Sequence, residues 1–459
     1  MVKANQTSRT KVNRRQFLRQ SVSLGACSFF IPYLYSSSQP ARAEGVNDKI
    51  TVAAIGTSEY RAGIWDNEQP FDGRGSQIGR KAGSLGLMLA VADVHRPFAE
   101  RFAAYYPGQC KVYQDYREVL ADPGIDAVTI GTPDHWHAKI AIEAMKAGKH
   151  VYVEKPLTLT MEESRLIAQA ARETGQIVQV GSQQRTENET FIRAAALCRS
   201  GRLGSRLAIR CSCPANESIA KKGVFDDRTP FQTQPVPEGL DWNAWLGPAP
   251  WREYVPERCF YNFRWWLDYS GGEITNWGGH NVDFAVWAVN ATEDAPVEIS
   301  GTGTFPGIDG WYDTAESFDV LFKYENGNTL QLCSGPNEVI ISGEKGRIRV
   351  NRGRLTGKPV EQLTKQDEES LAAVINDLMK GQAPGDHMKN FFDAIKLNRQ
   401  PVSDVASTVS GINMCHMANI CLRLGRPLRW NQKAYEFEGD QEATAMISRE
   451  RRKGFEIEM

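Results

Sequence analysis

Val151-Tyr152-Val153-Glu154-Lys155-Pro156 places a lysine at the end of a short, apolar, β-branched run. The run follows a helix-like stretch, residues 138–149, and a turn at Gly148. A buried apolar strand after an amphipathic helix predicts a parallel α/β sheet, where ligands gather at the C-terminal ends of strands. Pro156 brings no N–H to a ladder and stops the strand, which leaves Lys155 at that edge. An ammonium there can hydrogen-bond a substrate hydroxyl and share its proton as a hydride leaves the same carbon. Taken alone, the hexapeptide reads more simply as a strand-end lysine paired with Glu154. The flanking sequence has to decide.

Outward from this point, strand and helix patterns alternate. Residues 50–55 read as a buried strand ending at Gly56, 75–86 as a helix, and 87–92 as a strand ending at Asp93. Helices are predicted over 97–106 and 116–121, and a strand over 127–130 before a loop at 131–134. Beyond the lysine come a helix over 161–174, capped by Thr160, and a strand over 177–181. This β-α-β series predicts a doubly wound Rossmann domain over residues 44–181. From 182 the texture changes. A helix over 190–200 and a strand over 207–213 lead into a Pro- and Trp-rich region through Phe263. Strands over 297–304, 317–324, 329–334, 339–342 and 346–350, separated by Gly and Asn turns, predict a large, mostly antiparallel open sheet. Helices over 387–397 and 407–424 complete a C-terminal α/β domain, residues 182–459, and pack back on the body.

The chain has 459 residues and is 41% hydrophobic, enough for two domains with substantial cores. Its start reads differently. Asn13-Arg14-Arg15-Gln16-Phe17-Leu18-Arg19 is a twin-arginine signal, followed by a weakly apolar run over 22–35 and a small-residue cleavage site, Ala41-Arg42-Ala43. The apolar run is too short to anchor stably in a bilayer. Residues 1–43 are therefore expected to direct export to the periplasm by the Tat machinery. That route carries folded proteins, so a cofactor would be acquired in the cytoplasm and carried outward. Without those residues, 47 basic side chains face 55 acidic ones, a net −8. Such a balance offers no footprint for nucleic acid or an anionic membrane. Of the 9 cysteines, Cys27 lies in the signal, and Cys211-x-Cys213 is too tight for a zinc knuckle and lacks a matching pair. Buried thiols and no metal are expected.

A dinucleotide site needs a glycine turn after the first strand and a helix N-terminus facing the pyrophosphate. Gly56 follows the first strand, but residues 58–72 look like an insertion before Gly73-Arg74-Gly75-Ser76-Gln77-Ile78-Gly79 opens the helix. Asp93, at the end of the second strand, can accept from both ribose hydroxyls. An acid there disfavours the extra phosphate of NADP, so NAD is preferred.

These features resemble the Gfo/Idh/MocA oxidoreductases. The resemblance rests on residues 50–56 and 73–79, on Gly131-Thr132-Pro133-Asp134-His135-Trp136-His137, and on the block 147–156 that ends in Glu154-Lys155-Pro156. Gly271-Gly272 and His280-Asn281-Val282-Asp283 match the family's substrate-side helix. The signal and the tail 420–430 look like an exported branch common in planctomycete-type bacteria. The resemblance implies that one face of the second sheet carries substrate and the other a subunit contact, hence a homo-oligomer, dimer or tetramer. It implies that Lys155 and His280 flank the reacting carbon, with His280 titrating near neutrality. Most members carry an aspartate one turn before that histidine. This chain has Asn276, which can hold an imidazole but supplies no charge, unless a different partner such as Asp268 takes over. Gly56, Gly73, Arg74, Gly75, Asp93, Thr132, Pro133, His135, Glu154, Lys155 and Gln184 are the expected cofactor contacts. Arg185, Tyr261, Arg264, Trp265 and His280 are expected on the substrate side, since aromatic faces beside a guanidinium suit sugars. For the tryptophans, a core role under a long loop is the equal alternative. His137 would brace the loop, His387 and His416 would be structural, and Glu273 and Asp283 would fix helix geometry.

The expectation is an exported NAD-dependent oxidoreductase with tightly held cofactor, acting on a sugar, polyol or glycoside hydroxyl. One alternative is a redox-neutral glycosidase of the kind some relatives represent, which oxidises a sugar, eliminates the aglycone, adds water and returns the hydride. The other is a sugar- or cofactor-binding relative that has lost turnover.

Overall fold

In a computed structural model, residues 49–58, 73–214 and 228–459 are described. The predicted signal at 1–43 and nearly all of the predicted insertion at 58–72 lie outside the described residues. β1 (Thr51–Ile55), β2 (Leu87–Ala92), β3 (Lys111–Tyr113), β4 (Ala127–Ile130), β5 (His150–Val153) and β6 (Val178–Val180) form a sheet in the order β3-β2-β1-β4-β5-β6. Every pairing in it is parallel. β4 and most of β1 and β5 are buried, as β-branched and small apolar runs must be when helices cover both faces. The register aligns Ile55 with Ile130 and Ile130 with Val153. Gly56, Gly131 and Glu154 therefore emerge side by side at one sheet edge.

The helices of this half are α1 (Arg74–Leu85), α2 (Arg96–Ala103), α3 (Tyr116–Ala121), α4 (Asp134–Lys146) and α5 (Met161–Thr174). α5 begins as expected, with the Thr160 hydroxyl accepting from the Glu163 amide at 3.2 Å. α4 starts at Asp134 rather than 138. Pro133 stands at its N-cap and Asp134 in its first turn, an arrangement favoured by the proline's fixed φ and by the helix dipole. His135 and His137 are consequently helical.

The second half starts with one π-helical turn (Asn188–Ile192) running into α6 (Arg193–Arg199), where a single α-helix over 190–200 was expected. Its sheet comprises β7 (Ala208–Cys213), β8 (Glu298–Thr304), β9 (Ser317–Lys323), β10 (Thr329–Ser334), β11 (Glu338–Gly343), β12 (Gly346–Asn351), β13 (Arg354–Thr356), β14 (Leu428–Asn431) and β15 (Glu436–Phe437). The order is β13-β12-β11-β7-β10-β9-β8-β14-β15, antiparallel except where β7 meets β10. β14, β15 and the helix Lys365–Leu378 carry no expectation from sequence. That helix is held by a capping box between Thr364 and Asp367.

α7 (Glu273–Asn276) leads into α8 (Gly278–Ala288), which lies against β7 and β11 with every residue buried. α9 (His387–Leu397) crosses to the first half, where Met388, Phe391 and Phe392 share a core with Ile50, Val52, Ile78 and Tyr152. α10 (Val405–Leu424) packs on α8 and α5. An aromatic cluster of Trp242, Trp245, Trp265, Trp266, Tyr269, Trp311 and Tyr312 includes Phe98 of α2, so it spans both halves.

Candidate active site

The edge where β1, β4 and β5 end is built from close backbone approaches. Gly56 has a φ of +76°, which favours glycine, and a Cβ there would sit 2.7 Å from the Thr132 nitrogen. A Cβ on Gly75 would lie 1.8 Å from the Gly56 carbonyl oxygen. The N-cap of α1, Gly73, offers no side-chain cap, so a side chain does not compete for the amides of the first turn. This cradle fits a pyrophosphate on a helix N-terminus. Asp93 closes it: Oδ2 accepts from the Thr57 amide at 2.6 Å and Oδ1 from the His95 amide at 2.9 Å. The carboxylate expected to receive a ribose thus also pins the glycine turn. Arg74 reaches from α1 to Glu154 at 2.8 Å, and Gln183 donates to the same carboxylate oxygen at 3.1 Å.

Lys155 follows on from Glu154, and its peptide with Pro156 is cis. Its ammonium donates to Asn276 twice, to Oδ1 at 2.7 Å and to the backbone carbonyl at 3.1 Å. Burial, and then the Arg264 guanidinium, bring Lys155 down to about 8, against the pull of Asp134, Glu154 and Glu273. Asn276 Nδ2 in turn donates to Glu273 Oε2 at 3.1 Å. Glu273 is buried, and that burial raises it to about 7 despite the amide and the cations of Lys155 and Arg264.

His280 departs from expectation. Burial, the Lys155 ammonium, and the Arg352 and Arg74 guanidiniums push it well below its ordinary range, so it stands as a neutral imidazole. Asn276 holds Lys155 rather than His280, and Asp268 is committed to Arg252 at 2.9 Å. The neighbour that sequence did not suggest is Arg352, between β12 and β13. Its Nη2 lies 3.4 Å from His280 Nε2 while the guanidinium covers Trp277. With Nε2 facing a donor, the ring proton belongs on Nδ1, which is buried and has no partner among the described residues.

Other expected contacts are redistributed. Arg185 is fully buried and forks onto Asp283 at 2.6 and 2.9 Å, with further bonds to Ser407. Its guanidinium is committed to the fold, which corrects the substrate role expected of it. Trp265 lies at 0% exposure inside the aromatic cluster, so its ring does not offer a face to a sugar. His135 is wedged among Trp136, Trp245 and Tyr269, its Nε2 3.0 Å from the Trp245 carbonyl, and burial lowers it to about 3. That places it in the packing between the halves. Gln184 Nε2 donates to Asn281 at 3.3 Å, while its buried Oε1 lacks a partner among the described residues. Thr132 and Pro133 lead into α4, and His137 faces the carbonyls of Thr132 and Pro156 at 2.9 and 2.7 Å. Arg264 remains beside Lys155, stacked on Tyr261 at 4.4 Å, and both are only partly buried. Asp134, buried under the Ser270 hydroxyl at 2.5 Å, is a further carboxyl near Lys155 that sequence reading passed over.

This arrangement can hold a dinucleotide along the glycine edge and place a half-buried amine and a partly buried guanidinium, with a neutral imidazole alongside, near a hydroxylated substrate. Among the described residues, no group of three or more His, Cys, Asp or Glu side chains is placed to hold a metal ion.

Comparison with known proteins matches both halves. Residues 52–182 match a family model described as an oxidoreductase family NAD-binding Rossmann fold, and residues 190–457 one described as the oxidoreductase family C-terminal alpha/beta domain. A scyllo-inositol 2-dehydrogenase (NAD(+)) from Bacillus subtilis is 45% identical over 98 residues, 21% of this chain and 28% of that protein. A glycosyl hydrolase family 109 protein from a Shewanella species is 41% identical over 95 residues, 19% of this chain and 21% of that protein. The matched stretch thus spans less than a third of the length of either relative. Among solved structures, the WlbA dehydrogenase of Chromobacterium violaceum, in complex with NADH and UDP-GlcNAcA, superposes with a TM-score of 0.57. It is 18% identical, over 84% of this chain and 96% of that one, a likeness of fold.

Proposed function

We propose, from the premise that this chain belongs to the Gfo/Idh/MocA oxidoreductase family, that it oxidises a hydroxyl of a sugar, polyol or glycoside and uses Lys155 to handle the hydroxyl proton. Its N-terminal half is an NAD-binding Rossmann domain. The observation that carries the reading is the Lys155 amine, lowered to about 8 and standing beside the glycine cradle at the end of β5. Bound NAD supplies the hydride acceptor. The neutral amine of Lys155 accepts the hydroxyl proton, and its bond to Asn276 aims it. His280, neutral and held beside Arg352 through Nε2, borders the same site next to Lys155. Arg264 and Tyr261 offer a guanidinium and a partly open ring to the remaining hydroxyls. Tests begin with the purified protein. Denaturation should release close to one nicotinamide dinucleotide per chain, identified by mass spectrometry, and a panel of polyols and glycosides should yield NADH absorbance. Protein that retains no dinucleotide and turns over no member of the panel with added NAD removes the proposal.

A second reading has its own support in the glycosyl hydrolase family 109 likeness. A redox-neutral glycosidase at the same site would release aglycone with no net NADH and exchange the substrate C2 hydrogen with solvent. The same panel, followed by aglycone release in deuterated water, separates the two. The twin-arginine pattern at residues 14–15 supports export of the folded, cofactor-loaded protein. Replacing Arg14 and Arg15 by lysine should then retain the protein in the cytoplasm.

A further inference from the structure

We propose that Glu273 is a positioning residue whose carboxylate acts through the Asn276 carboxamide to set the protonation of Lys155. The inference rests on the reading of Lys155 as the proton-handling group. Three observations support it. Asn276 is bonded on both sides, its oxygen accepting from Lys155 at 2.7 Å and its nitrogen donating to Glu273 at 3.1 Å. That orientation is the one an ammonium and a carboxylate impose: reversing the amide would face NH₂ to ammonium and oxygen to carboxylate. All three groups are at least partly buried, and Glu273 is only 1% exposed. A buried carboxylate is costly unless its charge is compensated, and the Asn276 amide, the Lys155 ammonium beyond it and Arg264 offset that cost in part.

The charged and titratable neighbours on each packed element are few. Glu273 meets Lys155 after β5 and Arg264 in the aromatic segment, and it lies close enough to the Cys213 thiol at the end of β7 to raise it. Lys155 meets Arg264, Asp134 at the start of α4, Glu154 and Glu273, and it bears in turn on His280. Glu273 is raised to about 7 and Lys155 lowered to about 8, so both change charge in the same pH range. Glu273, one helical turn before Asn276, thus joins Asp134 and Glu154 among the carboxyls that favour the Lys155 ammonium, and it is the one bonded to the amide that Lys155 grips.

The experiment reads Lys155 directly, without requiring turnover. Competitive acetylation of the full-length protein with acetic anhydride across pH 6 to 10, followed by peptide mass spectrometry, reports the fraction of neutral Lys155 amine. Glu273→Gln should move that curve acidward by about half a pH unit, because one of the three carboxyls favouring the ammonium, after Asp134 and Glu154, is gone. The double variant Glu273→Gln/Asn276→Asp restores one carboxylate and should bring the curve back to the wild-type position or above it. Where a substrate is in hand, the ascending limb of kcat/KM should shift in parallel. An unmoved labelling curve in Glu273→Gln, or no recovery in the double variant, overturns the relay. If the labelling curve moves as stated while no substrate is turned over, the relay stands and the catalytic reading of Lys155 fails.

Discussion

At the scale of single residues, the site is decided by what burial does to three titratable groups. Lys155 sits near 8, Glu273 near 7, and His280 well below its usual value. An amine that works as a base is active when neutral, so kcat/KM for oxidation should rise with pH and level off above about 8. A profile that stays flat between pH 6.5 and 9 would be incompatible with Lys155 as the base. Lys155→Ala should cut kcat by about 10²- to 10⁴-fold and leave bound dinucleotide in place, measured by its release on denaturation. The sequence singled out Lys155, His280 and Arg264, and the fold brings the three close together. Residue state was not legible in sequence. The histidine expected to titrate near neutrality is held neutral by burial and then by the cations of Lys155, Arg352 and Arg74, and those converge only through the fold. Glu273 was visible as an acid beside Gly272, but nothing in its spacing showed that Asn276 would turn its amide toward it.

At the scale of elements, strand register does the positioning. Three parallel strands end level, so Gly56, Gly131 and the Glu154-Lys155 pair share one edge. Gly75→Ala would place a methyl 1.8 Å from the Gly56 carbonyl if nothing moved. The turn must open, and the expected result is purified protein with little or no bound dinucleotide. The buried Arg185–Asp283 pair ties the short helix after β6 to α8, the helix that carries His280. Arg185→Ala leaves a buried carboxylate alone and should lower stability by about 3–5 kcal/mol in urea denaturation. A loss below about 1 kcal/mol would mean that Asp283 finds another partner or takes up a proton at little cost. Strands and helices with strong periodicity, such as Met161–Thr174 and His387–Leu397, were readable to the residue. The π turn before Arg193 and the short strands β14 and β15 were not, because they owe their form to neighbours rather than to local pattern.

Across the whole molecule, the two halves are joined by packing as well as by one connection. α9 returns from the C-terminal half to place Met388, Phe391 and Phe392 against the first sheet's core, and the aromatic cluster takes in Phe98 from α2. Phe391 is fully buried, so Phe391→Ala should cost about 3–5 kcal/mol. The loss should appear as a lower Tm of a single transition. Two separated transitions in the wild type would show that the halves unfold independently.

The sequence alone determined the class of the first domain, the strand-end position of Lys155, the glycine edge and the mostly antiparallel second sheet. Each follows from local chemistry: β-branched runs, proline stops, glycine turns and hydrophobic period act over a few residues. Only the tertiary structure decided that Arg185 and Trp265 belong to the core, that His280 is neutral beside Arg352, and that Asn276 bridges Lys155 and Glu273. Those outcomes depend on which charges share a low-dielectric interior. Lys155 and Asn276, His280 and Arg352, and Arg185 and Asp283 are separated by tens to more than a hundred residues along the chain, a distance at which local pattern carries no information.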